Sequence, residues 1–234
     1  MKKLLALGLV AVFASTAMAD FSDDFDGYAD QAGFDAVYTQ IYPAAPIMLD
    51  QTMGFSDGQS VMTPAEAPSS SNRAYYSLGM EYATFQIMYK LDDETDWLSR
   101  QFFEIRGYAG AGYGDGDLEE LIAIGATSSG VDTTVYNARV LTGDGWINTT
   151  TAKTTEWVKL TALIKTSTVE IYVNDVLNAS SPRTPGVTLD SIVLGSGLSS
   201  RVSAHFDDVL VSGIPEPASL ALLALGGLAL IRRR

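Results

Sequence analysis

Alternation of apolar and polar residues is the feature that most constrains how this chain folds. From Tyr82 to Lys90, every second residue is Ala, Phe, Ile or Tyr. The segment Glu156–Lys165 alternates in the same way, and after a polar turn the pattern resumes from Val169 to Val173. Successive side chains of a β-strand point to opposite faces. Each segment therefore predicts a strand with one buried face, and the short turn predicts a hairpin.

Strand patterns recur along the chain, and no apolar stripe of helical period and length accompanies them. A short helix over Gln31–Gln40, capped by Asp30, is the one helix predicted between the two ends. Together these patterns predict one all-β domain, a two-sheet antiparallel jelly-roll sandwich of ten or eleven strands. The further strands are predicted at Arg73–Leu78, Leu98–Gly107, Glu120–Thr127, Thr133–Val140, Ser191–Leu194 and Arg201–Val211, with short pieces near Phe21 and Ile47.

The charge balance argues against nucleic acids and anionic lipids as partners. Lys and Arg number 15 against 28 Asp and Glu, a net charge of −13, and five of the basic residues lie at the two ends. Without the first 19 residues and those from Glu216 onward, 10 basic and 27 acidic residues remain, a net charge of −17. Phosphates of nucleic acids and anionic lipids repel such a body, so we expect no nucleic-acid partner.

Both ends carry hydrophobic targeting segments. Residues 1–19 combine a basic start, an apolar run and the small residues Ala17 and Ala19, which predicts a signal helix cut before Asp20. At the other end, an uncharged run from Ala218 to Ile231 would reach about 21 Å as a helix, a marginal membrane span. This run is preceded by Pro215, Glu216 and Pro217 and followed by Arg232, Arg233 and Arg234.

This three-part tail resembles the PEP-CTERM sorting signal of Gram-negative bacteria. The resemblance implies recognition by a membrane exosortase, removal of the tail, and delivery to the outer surface or an exopolysaccharide matrix. With signal peptidase acting at the N-terminus, it divides the chain into a signal peptide (1–19), a sandwich (20–213) and a sorting segment with a short transmembrane helix (214–234). Only this tail would contact the membrane. A plain tail anchor is the alternative.

The body is similar to the concanavalin A-like or laminin-G-like jelly roll. The resemblance rests on the Trp157–Lys165 strand, the following strand that runs into Asn174 and Asp175, and a distant last strand through Phe206. It implies that the last strand lies beside the first.

If the first and last strands are neighbours, acidic residues from both ends converge. Around Asp207 and Asp208 the apolar alternation slips by one residue, which predicts a β-bulge. Calcium binds six to eight oxygen ligands of this kind, so the set predicts a structural Ca²⁺ site. Acidic strand ends facing water are the other interpretation. The proposed ligands are Asp23, Asp24, Asp26, Asp207 and Asp208.

A second acidic segment, Asp115–Glu120, resembles the acid set of jelly-roll glucanases. Those enzymes place Glu-x-Asp-x-Glu or Glu-x-Asp-x-x-Glu on one strand, whereas here Asp115 replaces the first Glu and glycines flank it. Two rigidly held carboxylates are needed for retaining hydrolysis. Asp117 and Glu119 are therefore expected in a solvated loop, with incidental cation binding and catalysis as alternatives.

Aromatic residues are the candidates for a glycan contact, because a ring can stack on a sugar. We name Trp97 and Trp146, together with Tyr108 and Tyr113 from the glycine-rich loop at 107–114. Local packing is the alternative for each of them. His205 is the single histidine, and it is expected at the surface or on a strand flank.

The leading hypothesis is an exported, surface- or matrix-associated sandwich that binds glycans without cleaving them. The chain has no Cys and one His, which leaves Cys-based and His-rich metal sites unsupported. It also lacks a Gly-x-Ser-x-Gly motif. A glycoside hydrolase or lyase of the same fold is the first alternative, and a purely structural matrix protein is the second.

Overall fold

A computed structural model of the chain describes residues 20–41, 46–56, 58–65, 72–110, 115–128, 131–195 and 200–213. The predicted signal and sorting segments and Tyr113 lie outside these ranges. The described residues form one short helix, α1 (Gln31–Asp35), and fifteen strands. The strands are β1 (Phe21–Asp23), β2 (Thr39–Gln40), β3 (Met48–Asp50), β4 (Ser60–Thr63), β5 (Arg73–Ser77), β6 (Thr84–Leu91), β7 (Gln101–Tyr108), β8 (Leu118–Ala126), β9 (Val135–Val140), β10 (Gly145–Ala152), β11 (Val158–Ile164), β12 (Thr168–Val173), β13 (Val176–Pro182), β14 (Ser191–Gly195) and β15 (Ala204–Ser212).

The strands form two antiparallel sheets. The eight-stranded sheet has the order β13-β12-β11-β6-β15-β4-β3, with β1 paired to β15, and the seven-stranded sheet has the order β10-β9-β8-β7-β14-β5-β2. One shared core fills the space between them. Phe85, Ile87 and Tyr89 of β6 enter it from one sheet, and Phe103 and Ile105 of β7 enter it from the other. The predicted all-β jelly-roll sandwich is confirmed.

The pairing bears out the details on which the site predictions depend. β11 and β12 form the expected hairpin, and β1 pairs with β15 through Phe21 and Val211. The register of β15 against β6 shifts between Asp207 and Leu210, and Asp208 has a φ of 45°. These features are the predicted β-bulge.

The predicted helix is present but short. The Asp30 carboxylate accepts a hydrogen bond from the Gly33 backbone N–H at 3.0 Å, as an N-cap should. The helix ends at Asp35, and Phe34 stacks on Tyr38, with 4.8 Å between ring centroids. Within the described residues, no helix is long and apolar enough to cross a membrane.

Gly195 at the end of β14 provides a test of the sheet packing. Its φ is +121°, and a Cβ there would lie 2.0 Å from the Asn72 carbonyl oxygen. We expect Gly195→Ala to lower the free energy of unfolding by at least about 2 kcal/mol, through backbone strain and overlap together. The matched control is Gly116→Ala, because no atom lies within 4 Å of its added Cβ. Urea unfolding measures both variants, and equal stabilities would contradict the packing described.

Candidate functional site

The outer face of the seven-stranded sheet, opposite the shared core, carries the candidate site. Because Phe103 and Ile105 of β7 point into the core, the alternate residues of β7 point outward. Phe102 of that strand joins a second apolar cluster with Leu121, Ala123 and Trp146. Strand register gives the outward residues: Arg73 and Tyr75 on β5, Ser191 and Val193 on β14, Phe102, Glu104, Arg106 and Tyr108 on β7, Leu121 and Ala123 on β8, Asn137 and Arg139 on β9, and Trp146 and Asn148 on β10.

A buried ion pair occupies the centre of this outer face. The Arg106 Nε donates to Glu104 Oε2 at 2.8 Å, and Arg106 Nη2 lies 2.5 Å from the same oxygen. Both side chains are almost fully buried, with 4% of Glu104 and 2% of Arg106 exposed. Burial alone would lower the pKa of Arg106, but the Glu104 carboxylate raises it above its ordinary value. Arg106 is therefore a permanent cation, and its charge is balanced by Glu104.

Aromatic rings lie on both sides of this ion pair. Tyr75 and Tyr108 meet edge to face with centroids 6.1 Å apart, and Arg106 Nη1 donates to the Tyr108 hydroxyl at 3.1 Å. Burial raises the pKa of Tyr108, although Arg106 opposes that shift, so its phenol stays neutral at physiological pH. On the other side, the ring centroids of Phe102 and Trp146 lie 5.4 Å apart. Tyr75, Tyr108 and Trp146 are each only partly buried.

The structure brings together two of the four predicted glycan contacts. Trp146 and Tyr108 share the outer face, whereas Trp97 lies in the β6–β7 loop with 57% of its surface exposed. Trp97 has no ring contact with either of them within the described part of the chain. Tyr113 lies outside the described residues. The roles of all four residues remain predictions.

The glucanase-like acidic segment does not form one strand. Asp115–Asp117 is a 3-10 turn, and Glu119 follows it at the start of β8. Glu120 is buried, and its carboxylate accepts hydrogen bonds from the backbone N–H groups of Leu121 and Thr142 and from the Thr142 hydroxyl. The segment is therefore a turn leading into a strand. Asp117 lies in the turn, as its glycines indicated, whereas Glu119 lies in strand β8 and not in the expected loop.

The predicted calcium ligands have different hydrogen-bond partners. Asp23 accepts hydrogen bonds from the hydroxyls of Tyr28 at 2.6 Å and Tyr38 at 3.0 Å. At the β15 bulge, Asp207 accepts from the backbone N–H of Phe55 at 2.6 Å and from that of Asp208 at 2.7 Å. Among the described residues, no group of three acidic or His side chains is arranged to hold a metal ion. These carboxylates therefore already accept hydrogen bonds from protein groups, and calcium binding stays a prediction.

Asp23, Asp24 and Asp208 all line one groove of about 700 Å³ on the eight-stranded sheet. The Asp24 carboxylate accepts from the Asp26 N–H at 3.2 Å. Apolar side chains of Val37 and Leu210 form other parts of the wall. The aromatic residues Phe21 and Tyr28 also line it, so the groove combines acidic, apolar and aromatic surfaces.

His205 is buried rather than lying at the surface, with 2% of it exposed. Its Nδ1 lies 3.2 Å from Ser60 Oγ, and its Nε2 lies 3.3 Å from Asp92 Oδ1. Burial lowers the pKa of His205, outweighing the opposite effect of Asp92. Ser60 has no exposed surface, so this arrangement joins β4 to β15 and presents no accessible nucleophile.

The C-terminal tail and the sandwich each resemble known proteins. Residues 213–234 match the family model described as the PEP-CTERM protein-sorting motif. The chain carries a PEP-CTERM sorting motif. This motif implies exosortase processing, and with it export and membrane-anchored sorting. A search of curated protein sequences returned no match.

The sandwich is similar to several solved jelly-roll structures. The β-glucanase of Bacillus licheniformis has a TM-score of 0.53 at 15% identity, over 83% of this chain and 98% of that one. The cellulose-induced protein Cip1 has a TM-score of 0.56 at 15% identity, over 85% and 100% of the two chains. An endo-β-galactosidase of Clostridium perfringens that releases GlcNAcα1-4Gal has a TM-score of 0.53 at 14% identity, over 84% and 62%. At these identities the similarity shows the jelly-roll fold alone.

Sequence reasoning missed five of the outward residues that define the site: Tyr75, Phe102, Glu104, Arg106 and Arg139. A signal for two of them was present, because Glu104 and Arg106 alternate with the apolar residues Phe103 and Ile105. Charged residues at such positions must point away from the core or be paired. The register that joins β7 to β5 and β9 could not be read from one sequence.

Asp207 provides a test of the bulge through pH. Burial first, and then the charges of Asp208 and Asp26, raise the pKa of Asp207 to about 6, above its ordinary value of about 3.9. The folded state then binds this proton more tightly than the unfolded state, so stability falls as pH rises from about 4 to about 6. We expect the difference in free energy of unfolding between the wild type and Asp207→Asn to fall by roughly 2 kcal/mol over that interval. Urea unfolding of both proteins at pH 4, 5, 6 and 7 measures this difference.

The control for this titration is Glu156→Gln, which alters an exposed carboxylate. Its stability relative to the wild type should change little over the same pH range. A difference between wild type and Asp207→Asn that does not vary with pH would contradict the burial of an ionisable Asp207.

Calcium binding at the bulge predicts a second stability effect. An ion that binds only the folded protein at 100 times its dissociation constant adds about 2.7 kcal/mol. We therefore expect millimolar Ca²⁺ to raise the melting temperature by several degrees relative to EDTA. Asp208→Asn should remove this increment, and Asp175→Asn, in the β12–β13 turn, should keep it. Equal melting temperatures in Ca²⁺ and EDTA would show that no such ion stabilises the fold.

Proposed function

We propose that this protein is an exported, surface- or matrix-associated sandwich that binds glycans through the outer face of its seven-stranded sheet and does not cleave them. The observation that carries the proposal is the pair of aromatic groups, Tyr75 with Tyr108 and Phe102 with Trp146, on either side of a buried ion pair. The PEP-CTERM motif supports export. The outer surface or exopolysaccharide matrix of a Gram-negative bacterium is the destination we propose.

The dimensions of the outer face suit an extended oligosaccharide. Tyr75 and Trp146 belong to strands β5 and β10, which are separated by five strand spacings. At ~4.8 Å per spacing, this separation is about 24 Å along the sheet. Rings at both sides can contact sugar faces while their polar atoms bond hydroxyls, and the buried Glu104–Arg106 pair keeps the strand between them rigid.

The chemistry of β7 favours binding over hydrolysis. Retaining glycosidases need two carboxylates about 5 Å apart, one of them free to act as nucleophile. The described strands of this sheet carry three carboxylates. Arg106 engages Glu104, Thr142 engages Glu120, and Glu119 is exposed at the start of β8. The alternate positions of this strand read Glu104, Arg106 and Tyr108, unlike the acid set of the jelly-roll glucanases.

A glycoside hydrolase or lyase remains the alternative function, because structures of similar fold include a β-glucanase and an endo-β-galactosidase. Sustained release of reducing ends or unsaturated products from a polysaccharide, lost in Asp117→Ala, Glu119→Ala or Glu104→Gln, would establish it. Self-association together with silence on a glycan array would instead favour a purely structural matrix protein.

Substitution of an aromatic residue tests the binding face. We expect Trp146→Ala to weaken glycan binding at least about tenfold, because the substitution removes the partly exposed ring on which a sugar face would stack. The comparison variant is Trp97→Ala, which removes an exposed ring in the β6–β7 loop. Isothermal titration of the full-length chain in neutral detergent, against glycans selected on an array, measures both. A loss of binding in Trp97→Ala with none in Trp146→Ala would move the site to the loop.

A further inference from the structure

Arg139 has an unusual position on the outer face. It lies on β9 between Ala123 of β8 and Trp146 of β10, in one row across three strands. Its guanidinium carbon lies 5.5 Å from the centroid of the Trp146 ring, and the side chain is half-buried. A guanidinium near an aromatic ring is held by a cation–π attraction, so both groups have a defined orientation.

Arg139 forms no ion pair within the part of the chain that the structure describes. Five other cations pair with a carboxylate: Lys90, Arg106, Lys159, Lys165 and Arg183. Among the described residues Arg100, Lys153 and Arg201 likewise form no ion pair, but Arg100 and Lys153 donate to serine hydroxyls, whereas Arg139 lies beside the Trp146 ring. Acidic residues outnumber basic ones by 28 to 15, so carboxylates are plentiful. A cation without one, beside a partly exposed Trp, is therefore a place where a ligand can supply the negative charge.

Neighbouring groups also favour a negative ligand group. The nearest acidic side chain along this row is Glu104, on the strand beyond Ala123, and its charge is balanced by Arg106. In the adjacent row, Asn137 Nδ2 donates to Asn148 Oδ1 at 3.2 Å. The groups beside Arg139 are thus uncharged amides and an aromatic ring, and not carboxylates.

We propose that Arg139 and Trp146 form a subsite for an anionic sugar residue, whose acid group pairs with the guanidinium while its ring contacts the indole. The inference rests on the proposed function and names its ligand class, an acidic glycan. A planar guanidinium binds a carboxylate or a sulfate through paired N–H bonds. Uronic acids and sulfated sugars both provide such groups.

The negative charge of the whole chain opposes an anionic polymer at long range. Screening limits that repulsion, because the Debye length is about 8 Å at physiological ionic strength. Selectivity for the anion must then come from the direct contact with Arg139. This makes substitution of a single residue a decisive test.

The experiment compares each anionic polymer with its own neutral counterpart: polygalacturonate with its methyl-esterified form, and dextran sulfate with dextran. The full-length chain in neutral detergent is used throughout, and affinity is measured by biolayer interferometry. We expect at least one anionic polymer to bind about tenfold or more tightly than its counterpart, and the pair that shows this identifies the acid group. Arg139→Gln should bring that ratio close to one, and Arg139→Lys should restore part of it.

Lys165→Gln is the control, because it removes one positive charge from the other sheet. It should leave the ratio unchanged, and melting temperatures confirm that each variant folds. Equal binding of anionic and neutral polymers by the wild type would overturn the anionic subsite and leave glycan binding standing. Binding to none of the four polymers would overturn the subsite and count against the proposed function itself.

Discussion

The alternation of side chains along β7 is the constraint on which the rest of the site depends. Phe103 and Ile105 complete the core between the sheets, and a strand cannot bury them without turning Glu104 and Arg106 to the opposite face. A one-residue slip would place two charges in the apolar core, where unpaired charges are very costly. Folding of the sandwich therefore fixes the register of the outer face at the same time.

The ion pair itself has a structural consequence. Removing water from two charges costs several kcal/mol for each, and the attraction between them offsets this only with good geometry. Here two guanidinium nitrogens contact one carboxylate oxygen, and a third nitrogen contacts Tyr108. Loss of either partner would leave an uncompensated buried charge, so the pair holds the centre of the face in one arrangement. The aromatic residues are thereby held on a rigid sheet, as recognition requires.

Much of the fold could be predicted from the sequence, because strands such as β6 and β11 alternate clearly. Strands β2, β4, β10 and β13 were not predicted, and the two residues of β2, Thr39 and Gln40, were instead assigned to the predicted helix. β10 is rich in threonine and β13 in polar residues, so neither shows an apolar face. The bulge at Asp207 was predicted because one residue shifts the alternation. The hydrogen bonds from Tyr28 and Tyr38 to Asp23 depend on three-dimensional packing, and no local pattern reports them.

The site was only partly predictable for the same reason. Trp146 and Tyr108 were named for their residue type, whereas their common face follows from the register of β7, β8, β9 and β10. That register is set by contacts between residues far apart in sequence. Glu104 and Arg106 stand two residues apart, and their pairing follows only once both are known to face outward from a central strand.

The most direct test of this account is a crystal structure of the protein with a bound oligosaccharide. The account predicts sugar rings against Trp146 or Tyr108 on the outer face of the seven-stranded sheet, with every glycosidic bond intact. An oligosaccharide seated only on the eight-stranded sheet, or a cleaved product beside Glu104, would contradict it.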